Sequence, residues 1–268
     1  MSAPALPLVM GILNVTPDSF SDGGRWLDPE AAIAHGLAMA AAGAAVVDVG
    51  GESTRPGAAP VDEAEERRRV LPVVAALSPS VRVSIDTTKP GVAEAAIEAG
   101  ATLVNDVSAS LAPVAGAAGV GWVAMHRRGL PPTMQDDPCY TDVVAEVRAF
   151  LVGRAEAASA AGVEEVWVDP GIGFGKTAAH NLSLLRQLRT LVDCGWPVVV
   201  GTSRKAFLGA VAGGAPPDDR LAGSLATAVH AMAQGAAMVR AHDVAATVQA
   251  SRLVAAACGP RLAPGEQR

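Results

Sequence analysis

The 268-residue sequence is poor in cysteine and aromatic residues and has no basic run. Its three cysteines, Cys139, Cys194 and Cys258, are far apart and fall in no CxxC or Cys/His spacing. That excludes a disulfide framework and a zinc site, and the cysteines read as small buried or half-buried fillers. One Tyr, four Phe and four Trp leave the core to Ala, Val, Leu and Ile. A net charge of -6, from 27 acids against 21 Lys plus Arg, argues against a nucleic-acid partner. The mean hydropathy of +0.29 comes from short Ala- and Val-rich stretches. Charge or proline interrupts them before the roughly 20 apolar residues of a membrane span. The start Met1-Ser-Ala-Pro-Ala has neither the basic nor the apolar region of a secretory signal, so the expected location is cytoplasmic. Length and composition fit one compact domain over residues 1–268, with a frayed tail at 260–268.

What is present is a repeating order. Short runs rich in β-branched residues recur at Leu8–Leu13, Ala45–Val49, Arg82–Ile85, Leu103–Val107, Trp122–Met125, Val166–Val168, Pro197–Val200 and Ala237–Val239, each reading as a strand buried on both faces. Between them lie helical stretches at 29–42, 61–77, 90–99, 140–161, 179–192 and 220–234. Several stop at a glycine before the next strand: Gly43, Gly100, Gly162, Gly195 and Gly235. Eight strand–helix units predict an α/β protein of the (β/α)8 TIM-barrel class. The fourth crossover, Leu111–Gly119, is short and holds a proline, so an abbreviated connection is expected there.

In such a barrel the chemistry gathers where the strands end, and every run here delivers a polar residue at or just after its end. In order these are Asn14; Asp48, followed by Glu52 to Arg55; Asp86; Asn105; His126; Asp169; Ser203 to Lys205; and Arg240 with His242. Asp86, Asn105 and Asp169 suit the edge of a planar nitrogen heterocycle, with Met125 and Phe174 as apolar walls. Arg55, Lys205, Arg240 and His242, with Asn14 as a neutral oxygen ligand, suit a polyanion and its divalent cation. Two glycine-rich segments are not phosphate cradles. Gly171 to Thr177 ends in GKT, but Pro170 stands where a nucleotide-binding loop needs its first glycine. The segment Asp48 to Gly57 has no GxGxxG and reads as a mobile lid carrying Arg55.

Simpler readings compete. Asp86 alone reads as a helix cap ahead of Pro90, and Asp169 before Pro170 as a turn former. His126 has no assigned chemistry, His35, His180 and His230 read as surface or packing residues, and Glu63 to Arg69 reads as a solvated face with i,i+4 ion pairs.

Seven segments decide between these readings: Met10 to Gly24, Asp48 to Gly57, Ser84 to Thr87, Asn105 to Ser108, Asp169 to Phe174, Gly201 to Lys205 and Val239 to Val244. Together they resemble the dihydropteroate synthase family, closely its actinobacterial kind, in order and spacing from the first strand to the last. The resemblance implies condensation of 6-hydroxymethyl-7,8-dihydropterin pyrophosphate with 4-aminobenzoate, giving 7,8-dihydropteroate and pyrophosphate by an SN1-like displacement in folate biosynthesis. It implies that Asp86, Asn105, Asp169 and Lys205 bind the pterin, with Met125, Phe174 and Arg240 packed on it. Asp86, Lys205 and Arg240 would be the catalytic residues. Asn14, Arg55, Arg240 and His242 would hold the pyrophosphate, with Asn14 toward Mg2+. Phe20, Thr54, Pro56, Lys205 and Ala206 would shape the aminobenzoate site. It also implies a homodimer, for which the Ala-rich last two helices offer a face. Alternatives from other classes are a pterin-binding methyltransferase and a catalytically silent pterin-binding paralogue.

Overall fold

The computed structural model describes residues 6–16, 29–53, 60–129 and 133–258. Phe20, Thr54, Arg55 and Pro56 lie outside them, as does the tail 260–268, so the expectations placed there have no structural counterpart. Eight strands run β1 Leu8–Asn14, β2 Val46–Gly50, β3 Arg82–Asp86, β4 Leu103–Asp106, β5 Gly121–Met125, β6 Val166–Asp169, β7 Val199–Gly201 and β8 Met238–Ala241. The helices are α1 Pro29–Ala41, α2 Glu63–Leu77, α3 Pro90–Glu98, α4 Ala112–Ala118, α5 Val143–Ala160, α6 Ala178–Arg186, α7 Leu188–Val192, α8 Ala206–Val211, α9 Leu221–Ala233 and α10 Val244–Cys258.

All strand pairs are parallel, in the order β6-β5-β4-β3-β2-β1-β8-β7. A single parallel bridge, Val168 to Val198, joins the two ends and closes the cylinder. This is the expected (β/α)8 barrel. Among the described residues no helix is long and apolar enough to cross a membrane.

Alternation along the strands divides the core in two. One set, including Val9, Val47, Val49, Ile85, Val104 and Val168, packs outward beneath the helices. The other set, Met10, Val46, Leu103, Val123, Val199 and Met238, forms a separate apolar plug inside the cylinder. Two or four residues further along each strand, the same inward phase brings up Asn14, Asp48, Asp86, Asn105, Met125 and Arg240. The plug thus seals the barrel from one end and leaves a polar layer facing the other.

Local chemistry explains the helix boundaries. Asp62 caps α2 by accepting from Glu65 N at 2.8 Å, and Asp142 caps α5 by accepting from Val144 and Ala145 N, so α5 starts after Asp142 and not at Tyr140. Thr177 and His180 form a reciprocal capping box on α6, which gives His180 a structural task beyond surface packing. Ion pairs from Glu65 to Arg68 and from Glu63 to Arg67 lie on the outer face of α2 as expected, but the stretch is not solvated throughout: Arg69 is largely covered and donates to Gly51 O, and Glu66 is wholly buried and paired with Lys89. The fourth crossover is indeed abbreviated to the seven residues of α4. The stretch 179–192, expected as one helix, breaks at Gln187 into α6 and α7. A short helix, α8, with a 3-10 turn at Pro217–Asp219, fills the connection before α9. Cys139 is exposed and not a buried filler, while Cys194 is half-buried.

Candidate active site

A cavity of about 790 Å³ opens at the C-terminal end of the barrel. Of the residues expected in the site, Asn14, Asp86, Phe174, Lys205, Ala206, Arg240 and His242 line it. Asn105, Met125 and Asp169 do not: they are 5%, 4% and 5% exposed and lie in the wall behind the lining.

Arg240 is the centre of the arrangement. Its Nε donates to Asp48 Oδ2 at 2.6 Å and its Nη2 to Asp86 Oδ2 at 2.8 Å, so strand 8 is tied across the interior to strands 2 and 3. Burial alone would lower the Arg240 pKa, but the charges of Asp48 and Asp86 raise it further above its ordinary value. Asp86 is pushed up to about 7, chiefly by burial. Arg240 opposes the shift, and the acids Asp48, Glu66 and Asp106 add to it. Asp86 does not cap the next helix: α3 has Lys89 at its cap position without a side-chain cap bond, and Pro90 opens it. Glycines at two strand ends keep this layer open. A side chain at Gly50 would stand against Asp86 Cβ and Asn14 Oδ1, and one at Gly201 against Arg240 Cβ and Lys205 Nζ.

Asp169 makes the turn that the simpler reading gave it. Its Oδ1 accepts from Gly171 N at 2.7 Å, which shapes the turn after β6. Burial raises its pKa, while Lys205 and then the Gly171 N–H pull the other way, so the acid also senses the cation of the site. Lys205 donates to Ile172 O and stands 4.7 Å from the centre of the Phe174 ring. Burial lowers it to about 8, against the pull of Asp169. His242 Nδ1 lies 3.0 Å from Ser203 Oγ, and its own backbone N–H donates to that oxygen at 3.1 Å. The helix begun at Ala206 is in its expected place but is only six residues long.

The sequence left several contributors without a role. Asp48 registered only as a strand-end acid. Lys176, part of the rejected nucleotide motif, is buried and donates to Gly171 O at 2.9 Å and Phe174 O at 3.1 Å, with His126 Nδ1 at 2.9 Å. It staples the loop that carries Phe174 onto the end of β5, and this gives His126 its supporting part. Asn181 Oδ1 holds the same loop by accepting from Gly173 N at 2.8 Å.

A closed parallel barrel whose mouth gathers acids against half-buried cations, with one aromatic wall, is the architecture of an enzyme acting on a small polar molecule. Residues 10–242 match the family described as pterin binding enzyme. The dihydropteroate synthase of Mycobacterium leprae is 49% identical over 270 residues, covering 95% of each chain. A solved structure of the Xanthomonas albilineans dihydropteroate synthase with 4-aminobenzoic acid has a TM-score of 0.86 at 47% identity, covering 93% of this chain and 92% of that one. The Burkholderia cenocepacia dihydropteroate synthase complexed with 7,8-dihydropteroate gives 0.82 at 48% identity, with 92% and 90% covered. The chain belongs to the pterin-binding enzymes and, among them, to the dihydropteroate synthase family.

Proposed function

We propose that the chain joins 6-hydroxymethyl-7,8-dihydropterin pyrophosphate to 4-aminobenzoate, forming 7,8-dihydropteroate and pyrophosphate. The observation that carries this reading is the convergence of Asp86, Lys205 and Arg240 on one cavity, with Asp169 in electrostatic contact with Lys205 behind it. Ligands seen with the relatives, 4-aminobenzoic acid in one and 7,8-dihydropteroate in another, support this substrate and this product.

In this reading Asp86 and Lys205 hydrogen-bond the pterin ring from the cavity lining, Asn105 and Asp169 meet it through the small part of each that stays exposed, Phe174 borders it and Met125 lies behind. The exocyclic carbon–oxygen bond breaks with its electron pair going to the pyrophosphate, and the acids favour the positive charge that spreads into the ring. Arg240, His242 and Asn14 hold the departing anion. The aniline nitrogen then bonds to the carbon and gives up a proton. Lys205 with Ala206 border the aminobenzoate end.

Mg2+ fits as a companion of the diphosphate. Among the described residues no group of three His, Cys, Asp or Glu could hold a metal, and Asn14 offers one neutral oxygen in the cavity. A hard cation that keeps several waters and binds mainly through phosphate needs no more from the protein. When bound, it would neutralise charge building on the leaving group. Exposed Leu221, Val229 and Leu253 on α9 and α10 support a homodimer using those helices, and the enzyme is proposed to be cytoplasmic.

The test is pyrophosphate release from the two substrates together, followed by calorimetry of pterin pyrophosphate with and without Mg2+. Release should need both substrates, and Asp169→Ala should nearly abolish pterin binding while the barrel still melts cooperatively. Unchanged affinity in that variant would remove Asp169 from the pocket. Absence of release by the parent would defeat the synthase reading.

A further inference from the structure

Asp48 sits inside the barrel, wholly buried, and does not line the cavity. Its hydrogen bonds among the described residues all go to the site. Oδ2 accepts from Asn105 Nδ2 at 2.9 Å and from Arg240 Nε at 2.6 Å. Oδ1 has no hydrogen-bond partner among the described residues, and neither has Ser84 Oγ, its register neighbour on β3.

Asp106, equally buried, shows what a structural acid looks like here. Its two oxygens accept from the backbone of Ser108, Ser110 and Leu111, from the Ser108 hydroxyl and from Trp122 Nε1. Those bonds build one turn and its packing. Asp48 builds no turn, caps no helix and leaves one oxygen bare, so its buried charge is explained only by the two side chains it holds.

We infer that Asp48 is a positioning residue that fixes which way the Asn105 amide points, and with it the donor and acceptor order that the site offers to a heterocycle. A carboxylate has no hydrogen to give. It can hold only the NH2 end of Asn105, so the amide oxygen and the second N–H are left for the ligand in one defined arrangement. Without the acid, a half-turn of the amide exchanges oxygen for nitrogen and reverses what the pocket reads. The same oxygen holds Arg240 by Nε while Asp86 holds it by Nη2, so the guanidinium plane is set by two acids from neighbouring strands. Asn105 lies opposite Asp86 in the β3–β4 register, so amide, acid and cation form one continuous surface.

This inference rests on the proposed pterin site, and its test separates the two. Calorimetry of pterin pyrophosphate is run on the parent, Asp48→Asn, Asn105→Ala and the double variant. The substitution Asp48→Asn keeps the shape of the side chain but lets it present either end of an amide, so Asn105 is released. Asp48→Asn should weaken binding about 10- to 100-fold, the range for losing a hydrogen bond to a charged group. In turnover the loss should appear in KM for the pterin more than in kcat. The double variant should lose clearly less than the product of the two single losses, since an unoriented amide contributes nothing further and only the share that Asp48 exerts through Arg240 remains. Paired with Phe174→Ala, by contrast, the losses should multiply. A generally loosened barrel would not produce this selective coupling. Multiplying losses between positions 48 and 105 would overturn the assignment, and failure of the parent to bind would instead defeat the proposed function. If Asp48→Asn does not fold, Asn105→Asp tests the same contact. A carboxylate there cannot donate to Asp48, so it should bind worse than Asn105→Ala, and equal affinity would overturn the inference.

Discussion

Asp86 and Lys205 are both half-buried beside Arg240, and loss of hydration moves them in opposite directions: the acid up to about 7, the lysine down to about 8. The free enzyme therefore holds both charges only in a narrow window. Since kcat/KM reports the free enzyme, its profile for the pterin substrate should be a narrow bell, rising as Asp86 ionises and falling as Lys205 loses its proton. Lys205→Arg keeps the charge at higher pH, so its alkaline limb should disappear from the measured range even where the rate is lower. A limb that stays near 8 would belong to another group. The linkage to stability follows from the same directions. Asp86 has a folded value above the ordinary 3.8, so its cost is full above about 7 and disappears as pH falls toward that ordinary value. At this scale the sequence was most informative where a polar residue ended a strand, because two-residue alternation alone decides that Asp86, Asn105 and Arg240 face inward. It said little about which side chains bond to each other. The Asp48–Arg240 pair spans 192 residues of sequence, and only closure of the barrel brings it together.

The loop between β6 and α6 shows how an element can be misread from its letters. Its GKT ending suggests phosphate, yet Lys176 is turned inward onto carbonyl oxygens, and Gly171 takes φ 63° against the His126 carbonyl, which a side chain would strike. Burial lowers Lys176 to about 7, with Asp169 opposing the shift, and burial lowers His126 to about 3, with the Lys176 charge adding to it. For a lysine lowered in the folded state, the cost of carrying the charge is full below about 7 and vanishes as pH rises into the ordinary lysine range near 10.5. Lys176→Met removes that cost together with the bonds to the loop. Thermal melts at several pH values should therefore find the variant at its best relative to the parent near pH 6 and progressively worse toward pH 9. A difference independent of pH would mean that Lys176 is not the titrating group. The short helix α8 likewise leaves no periodic trace in the letters: six residues between Lys205 and a Gly-Gly pair are too few to show a helical period.

Across the whole molecule, eight strand runs separated by helices ending in glycine were enough to anticipate the barrel, because parallel strands need crossovers and each crossover leaves a periodic trace. How evenly the barrel closes leaves no such trace. Between β2 and β3 five register pairs hold the wall, whereas β6 and β7 share the one bridge at Val168 and Val198. The seam lies beside the site: β6 ends in Asp169, and β7 leads through Gly201 to Lys205. Few inter-strand hydrogen bonds mean a low cost of local opening, so the Val168 amide, which donates to Pro197 O across the seam at 3.0 Å, should exchange with solvent well before those of Val47 and Ile85. If hydrogen exchange followed by mass spectrometry or NMR finds Val168 as protected as the β2–β3 wall, outer packing rather than strand pairing holds the seam. If Val168 opens first, a ligand held between Asp169 and Lys205 bridges the weakest joint of the cylinder. Pterin pyrophosphate should then slow exchange at Val168 more than at any amide of β2 or β3.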